Sequence, residues 1–469
     1  MKVLLIRVLP FNFSKKSFHK KQKKRFEIGL QSFFLPPVGL LYIAKSLEDE
    51  GHTVEIIDFY CEDNPIETLE KTLPSSDAVG LSVYTNSYKD TANVAQLIHQ
   101  KDSDIPIIIG GPHCTIYPEN ALNDIPTANI SVEGEGEFVI KDISKALMGR
   151  KKLSDIPGIR YRKNDKIKNG MPFKLIKNID TIQYPARHLV EKYEYGKIYN
   201  IYFHKPKYTF MVTSRGCPFR CRFCNRKFLK KIGYRQRSTE NVLGEIQEIN
   251  EKYGSFSIVD DNFLVDPKRA HEIFDGIIKM GIDLEIYIQG ARVDSADRNL
   301  YKKMKKAGVK RIFFGIESGC QDVLDFYKKD ITLNQIRKAV DLSKEMGFFT
   351  IGGFILGAPI ETQDHFNQSI KFACSLPLDI TIWEPLKYKR GSEIWKEAVE
   401  NGYIAGYDQY EIVADSKLNL GRFSKEELLK YCKKAFKKFH YRPEYIAREF
   451  IQTATSRDLT FLKVVLDYI

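Results

Sequence analysis

No run of 18 or more apolar residues occurs anywhere in this chain of 469 residues, so no helix long enough to cross a membrane is expected. The opening Met1-Lys-Val-Leu-Leu-Ile-Arg7 returns to charge too soon for a secretory signal and reads as a first strand. A cytoplasmic protein is the expectation. Paired cysteines are also lacking outside one place. Cys61, Cys114, Cys320, Cys374 and Cys432 stand singly, which excludes a disulfide framework and fits a reducing compartment. Each of the five reads as a small buried hydrophobe. No Gly-x-Gly-x-x-Gly follows the first strand, which argues against a plain dinucleotide-binding domain.

The remaining three cysteines are together. Cys217, Cys221 and Cys224 form a C-x3-C-x2-C cluster in Thr213-Ser-Arg-Gly-Cys-Pro-Phe-Arg-Cys-Arg-Phe-Cys-Asn225. Three thiolates this close can hold three irons of a cubane cluster and leave the fourth iron open, a place to bind and reduce something. Two blander readings stand beside it, a zinc knuckle completed by a distant His and three ordinary buried thiols. Structural zinc usually takes two separated ligand pairs, and no second pair exists here.

The formal charge of +13 is moderate for the length and concentrates in Lys15–Arg25 and in Lys425–Lys438. It is compatible with an anionic substrate, RNA or a membrane surface, and on charge alone a solvated surface is preferred. Hydrophobic content of 43% supports packed domains, and the length calls for two or three of them.

Residues 1–148 alternate short apolar strands (Val3–Val8, Thr53–Asp58, Ala78–Val83, Ile105–Ile109, Asn129–Val132) with helical patterns (Gly39–Glu50, Asp90–Gln100, Glu137–Leu147). That is the signature of an α/β fold with a doubly wound parallel sheet. Ligands of such sheets bind beyond the carboxyl ends of the strands, here Leu9–Pro37, Tyr84–Ser87, Gly110–Thr115 and Glu133–Gly136. Residues 149–205 break the alternation with a hairpin turning at Asn164-Asp165 and read as a linker. From 206 to 400 the alternation resumes in six strand–helix repeats, starting with Phe210–Thr213, which would curl into a partial barrel. The cysteine cluster follows the first of these strands and falls on the carboxyl face, where such barrels keep their active sites. Residues 401–469 read as helical, with Leu428, Cys432, Ala435 and Phe439 on one face of a lysine-rich segment.

Other strand ends in the second domain carry polar or glycine residues that a core alone would not need. They are Asp260-Asp261-Asn262, Gln289-Gly290-Ala291-Arg292, Gly315-Ile316-Glu317-Ser318 and the Gly-rich strand ending at Gly357. A carboxylate pair suits an ammonium group or a helix cap. Arg292 can clamp a carboxylate, and Glu317 can accept from an amine or a ribose.

Taken with the cysteine motif, these stretches resemble the radical S-adenosylmethionine superfamily. The first domain is similar to the cobalamin-binding domain of its cobalamin (B12)-dependent members, on Leu35-Pro-Pro-Val-Gly-Leu40, Gly110-Gly-Pro-His-Cys-Thr115 and Glu133-Gly-Glu-Gly-Glu137. The resemblance implies a [4Fe–4S] cluster on Cys217, Cys221 and Cys224. It implies S-adenosylmethionine near Phe223, Asp260, Asp261, Gln289, Arg292 and Glu317, with the choice within the aspartate pair left open. It implies cobalamin near Pro36, Ser82, Thr85, Asn86, Gly110, Gly111, His113, Glu133, Gly134 and Glu135. The chain lacks Asp-x-His-x-x-Gly, so the expected cobalt has no His lower ligand, and His113 is expected as an outer or corrin-amide contact.

The activity so implied is C-methylation of an unactivated carbon through a 5′-deoxyadenosyl radical and methylcobalamin. Non-methylating cobalamin chemistry, RNA modification and an electron-transfer protein are the alternatives. Expected partners are a small-molecule, lipid or peptide substrate and a flavodoxin- or ferredoxin-type electron donor. Nucleic acid is not expected, and peripheral membrane contact stays open.

Overall fold

The protein was analysed as a computed structural model that describes residues 1–8, 35–198, 201–202, 205–225, 233–406 and 409–456. The basic stretch Lys15–Arg25 lies outside the described residues, as does most of the Leu9–Pro37 segment. The chain divides into two units between Glu194 and Tyr195.

In the first unit, strands β1 (Lys2–Arg7), β2 (Thr53–Asp58), β3 (Ala78–Ser82), β4 (Ile107–Gly110) and β5 (Ile130–Val132) are parallel and stand in the order β2-β1-β3-β4-β5. Helices Val38–Glu48, Pro65–Thr72, Tyr88–Lys101 and Gly136–Leu147 connect them. Leu4, Leu5 and Ile6 of β1 are all buried, as continuous apolar strands in a sheet covered on both faces must be. The strand order reverses at β1 and β3, and their carboxyl ends open the crevice where ligands of such sheets bind.

Two further strands, β6 (Ile159–Lys163) and β7 (Lys166–Asn169), join the same sheet antiparallel, with Ile130 paired to Tyr161. Their turn holds Asn164 and Asp165 at φ 51° and 58°, the left-handed pair a two-residue hairpin needs. The hairpin expected in a 149–205 linker therefore extends the first sheet. The physical reason is the exposed edge of β5, whose unpaired backbone groups need a partner.

The second unit carries β8 (Tyr208–Met211), β9 (Ser255–Ile258), β10 (Glu285–Ala291), β11 (Val309–Glu317), β12 (Phe349–Leu356) and β13 (Ile380–Pro385). All six are parallel in sequential order, and among the described residues no pairing of β8 with β13 closes the sheet. Five helices separate them, at Thr239–Lys252, Pro267–Met280, Arg298–Lys306, Leu333–Glu345 and Gln363–Cys374. The second, third and fourth are started by side-chain caps from Asp266, Asp297 and Thr332. The core between sheet and helices is rich in aromatics, with Phe256, Phe274, Phe314, Phe348, Phe354 and Phe366 fully buried.

β10 and β11 run three residues further than the apolar pattern of the sequence. Register shifts fall between Ile288 and Ala291 and between Gly315 and Glu317. Such bulges re-aim side chains next to functional sites, and Gln289 and Glu317 sit on them.

Residues 401–424 include a strand, Glu411–Val413, paired with Lys387–Lys389, so this region is not wholly helical. Helix Lys425–His440 starts on a Ser424/Glu427 capping box. It buries Leu428, Cys432, Ala435 and Phe439 and leaves Lys430, Lys433, Lys434, Lys437 and Lys438 exposed. The lysine run is a solvated helix face. No helix among the described residues is long and apolar enough to cross a membrane.

Candidate functional site

The three clustered cysteines lie on the loop that leaves β8, at the carboxyl end of the six-stranded sheet. Its entry is held from below. Asp260, fully buried after β9, accepts from the Thr213 backbone N–H at 2.6 Å, the Thr213 hydroxyl at 2.6 Å and the Ser214 hydroxyl at 2.6 Å. Burial raises the Asp260 carboxyl above its usual range, against the donors that favour its charged form. Arg269 adds a guanidinium bond to the Thr213 carbonyl at 2.9 Å, and the Arg237 N–H reaches the same carbonyl at 3.0 Å. Arg237 is itself buried in an ion pair with Glu245. The next residue but two, Gly216, has φ 81°, and a Cβ there would stand 2.4 Å from the Gly233 carbonyl oxygen. Only glycine admits this close approach.

The loop itself rests on a second one, residues 326–330, which follows the short helix Gln321–Phe326. The Arg222 N–H donates to the Tyr327 carbonyl at 3.0 Å, and its guanidinium stacks on the Phe326 ring at 4.4 Å. Phe223 meets Tyr327 edge to face at 5.2 Å. Arg222 also pairs with Glu393 at 3.1 Å and with Glu397. The Cys224 N–H closes a turn on the Cys221 carbonyl at 3.1 Å. All three thiols are partly buried and free of disulfides. Burial pushes the Cys221 thiol up, while the charges of Lys329 and Arg292 act in the opposite sense. Among the described residues, no three His, Cys, Asp or Glu side chains are gathered as a metal-ligand set.

The expected residues for S-adenosylmethionine divide into two groups. Phe223, Arg292 and Glu317 border the cysteine loop. The Arg292 guanidinium lies 3.7 Å over the ring of Phe219, inside that loop, and donates to the Lys329 carbonyl at 2.7 Å and to Asp294 at 2.9 Å. Glu317, in the left-handed region at φ 69°, accepts from the Lys329 ammonium at 2.7 Å. Asp260 and Gln289 are engaged elsewhere, Asp260 in the bonds above and Gln289 in donation to Ser257 at 3.2 Å. Of the aspartate pair, Asp261 is the partly exposed member.

Two residues of this site gave no sequence signal. Lys329 lies in Tyr-Lys-Lys-Asp, a charge run that reads as a solvated turn, yet it is 7% exposed while Lys328 is exposed. Glu361 precedes a helix cap and reads as a surface residue, yet it is 0% exposed. One of its carboxyl oxygens accepts from the Gly357 and Ala358 N–H groups at 2.6 and 2.7 Å. The other has no partner among the described residues, and neither has the buried hydroxyl of Tyr327, whose energetics it influences.

Burial pushes the Glu361 carboxyl up to about 7, despite the two N–H groups that favour its anion. With the folded pKa above the unfolded one, its stabilising contribution is present below an ordinary carboxyl pKa. It is lost as pH rises through about 7. Glu361→Gln keeps an acceptor for both N–H groups and carries no charge. The variant is expected to exceed the parent in stability by on the order of 2 kcal/mol at pH 8 and to match it near pH 4.5. Denaturant unfolding at the two pH values checks this.

In the first unit, the polar residues at the strand ends also divide. His113 is fully buried, stacked on Tyr88 at 5.1 Å, with its ring nitrogens 2.9 Å from Asp124 and 3.4 Å from Thr85. Its ring is closed off from solvent in this unit. Glu133 pairs with Arg160 at 3.0 Å, and Glu135 accepts from the Ile176 N–H at 3.0 Å. Gly111, at φ 110°, packs against the Val83 backbone, Gly134 lies under the Phe173 ring, and Pro36 is buried. Ser82, Thr85, Asn86 and Gly110 remain at least partly exposed along the crevice edge, with Tyr84 at 43% exposure beside them.

An open α/β barrel with a three-thiol loop on its carboxyl face, preceded by a doubly wound domain, defines a class. The sequence matches the Radical SAM superfamily over residues 211–373 and the B12 binding domain over residues 32–143. It is 31% identical to an uncharacterized methyltransferase of Pyrococcus horikoshii over 89% of this chain and 90% of that protein. The chain belongs to the B12-binding radical S-adenosylmethionine superfamily. An anaerobic magnesium-protoporphyrin IX monomethyl ester cyclase of Rubrivivax gelatinosus is 26% identical over 81% of this chain and 69% of its own. Among solved structures, the cobalamin-dependent radical enzyme OxsB, with aqua-cobalamin and S-adenosylmethionine bound, aligns at a TM-score of 0.68 and 20% identity. That alignment covers 98% of this chain and 72% of OxsB. The likeness to OxsB is one of fold.

Proposed function

We propose that this chain is a cobalamin-dependent radical enzyme that transfers a methyl group to an unactivated carbon. The observation that carries the proposal is the cysteine loop. Three half-buried thiols stand at a strand carboxyl end, fixed from below by Asp260 and bordered by the cations of Lys329 and Arg292. Soft thiolate donors flanked by buried cations suit an anionic iron–sulfur cluster better than a structural zinc, which wants a fourth protein ligand.

Cys217, Cys221 and Cys224 would hold the cluster. Phe223, Asp261, Arg292 and Glu317 would surround S-adenosylmethionine, and Asp260 would act by fixing the loop. For cobalamin, Ser82, Thr85, Asn86 and Gly110 offer hydroxyl, amide and open backbone at the crevice edge. The bound cofactors supply one-electron cleavage of the sulfonium and carriage of the methyl group, while the protein orients them and keeps water out. The methyltransferase relative favours methyl transfer, and a low-potential one-electron donor is the implied partner. The substrate is a small molecule, lipid or peptide.

The test uses the full chain, reconstituted anaerobically with iron, sulfide and cobalamin. It is then given reductant and S-adenosylmethionine carrying a trideuteromethyl group. Iron–sulfur and corrin absorption together, 5′-deoxyadenosine released with labelled methionine, and S-adenosylhomocysteine formed as label appears in corrin and acceptor are the expected results. Product free of label, formed alongside 5′-deoxyadenosine and without S-adenosylhomocysteine, overturns methyl transfer and favours chemistry of the kind the cyclase relative is named for. A corrin-free spectrum overturns the cobalamin assignment.

A further inference from the structure

We propose that Lys329 sets the charge at the iron–sulfur site, its buried ammonium and the Glu317 carboxylate together fixing the potential at which the cluster takes up an electron. The proposal rests on the cysteine loop holding such a cluster.

Three features show that the position is built. Lys329 is held between two residues in the left-handed region, Lys328 at φ 51° and Asp330 at φ 54°, a conformation that costs non-glycine residues energy. Its own backbone is pinned at both groups, the N–H on the Leu324 carbonyl at 3.0 Å and the carbonyl under the Arg292 guanidinium at 2.7 Å. Glycine at 315 leaves the ion pair the room it occupies. A Cβ there would stand 2.6 Å from the Glu317 carboxylate and 3.1 Å from the Lys329 nitrogen.

A buried ammonium is costly unless compensated. Glu317 alone would neutralise it and leave a closed pair. Yet the segment that carries Lys329 packs on the cysteine loop, through the Arg222 N–H on the Tyr327 carbonyl at 3.0 Å and the Arg292 guanidinium, which bonds the Lys329 carbonyl at 2.7 Å and covers the Phe219 ring at 3.7 Å. The Glu317 carboxylate, 2.7 Å from the ammonium, compensates its burial. One-electron reduction adds negative charge to a cluster that already carries thiolates. A fixed cation beside a ligand thiolate lowers the energy of the reduced form, and a fixed anion raises it. Buried charges are screened less than exposed ones, so their effect on a neighbouring cluster persists at ordinary ionic strength.

The test measures the midpoint potential of the reconstituted cluster in the full chain, by a reductive titration followed by electron paramagnetic resonance. Lys329→Met is expected to lower the potential by at least about 59 mV, a tenfold shift of a one-electron equilibrium. Glu317→Gln is expected to raise it by a similar amount, and Lys329→Arg to restore the parent value. Opposite signs from the two partners of one ion pair are what a merely structural bridge would not give. Where Lys329→Met loses the cluster, the sign of the Glu317→Gln shift decides. Unchanged potentials, or shifts of the same sign in both variants, overturn the role of Lys329 alone. A parent chain that takes up no cluster overturns the iron–sulfur reading itself.

Discussion

Cys221→Ala leaves the reconstituted chain without iron–sulfur absorption and lowers release of 5′-deoxyadenosine by on the order of 10³-fold or more. The loss should exceed the roughly 10–100-fold that follows removal of an outer-shell partner, because a cubane held by three thiolates has no spare ligand. Cys221 is the informative position, since the charges of Lys329, Glu317 and Arg292 act on its sulfur. It is only partly buried and sits in a loop, so stability of the apoprotein should change by less than about 0.5 kcal/mol. Denaturant unfolding of the iron-free chain separates the two effects. A variant that keeps the absorption would show that Cys221 is no ligand.

Asp260→Ala has the largest expected effect on folding. It leaves the Thr213 N–H and the Thr213 and Ser214 hydroxyls without their acceptor in a site closed to water. At about 1–3 kcal/mol for each orphaned buried donor, the second unit should lose roughly 3–6 kcal/mol, less where a hydroxyl turns to another acceptor. Asp260→Asn keeps one acceptor oxygen and should lose about half as much. Unfolding in urea, followed by a signal from the second unit, measures both. Because Thr213 and Ser214 lead into Gly216 and Cys217, the alanine variant should also retain less iron after reconstitution.

Much of this architecture was legible in the sequence. Alternating apolar strands and capped helices announced both parallel sheets, and the thiol spacing announced the loop. What escaped had physical causes. The apolar pattern ends where β10 and β11 become bulged, so Gln289 and Glu317 read as strand-end residues beyond the apolar runs although they lie within the strands. β7 is polar and exposed, and β6 buries Ile159 and Tyr161 alone, so the open edge of β5 is what gives the hairpin its place in the first sheet. Adjacent Asp260 and Asp261 looked equivalent, since nothing local distinguishes a side chain turned into the core from one turned out. Lys329 was hidden for the same reason beside Lys328. Its burial depends on Gly315 and Arg292, which lie far from it in sequence and reach it only through the sheet.

The floor beneath the cysteine loop comes from residues 326–330, a hundred positions downstream of the thiols it supports. A chimera that took its first three barrel strands from one family member and the rest from another would inherit the ligands without the surface they were fitted to. Interchangeable cassettes in this unit must therefore run at least from Thr213 through Asp330. Shorter exchanges would carry a complete motif and an incomplete site.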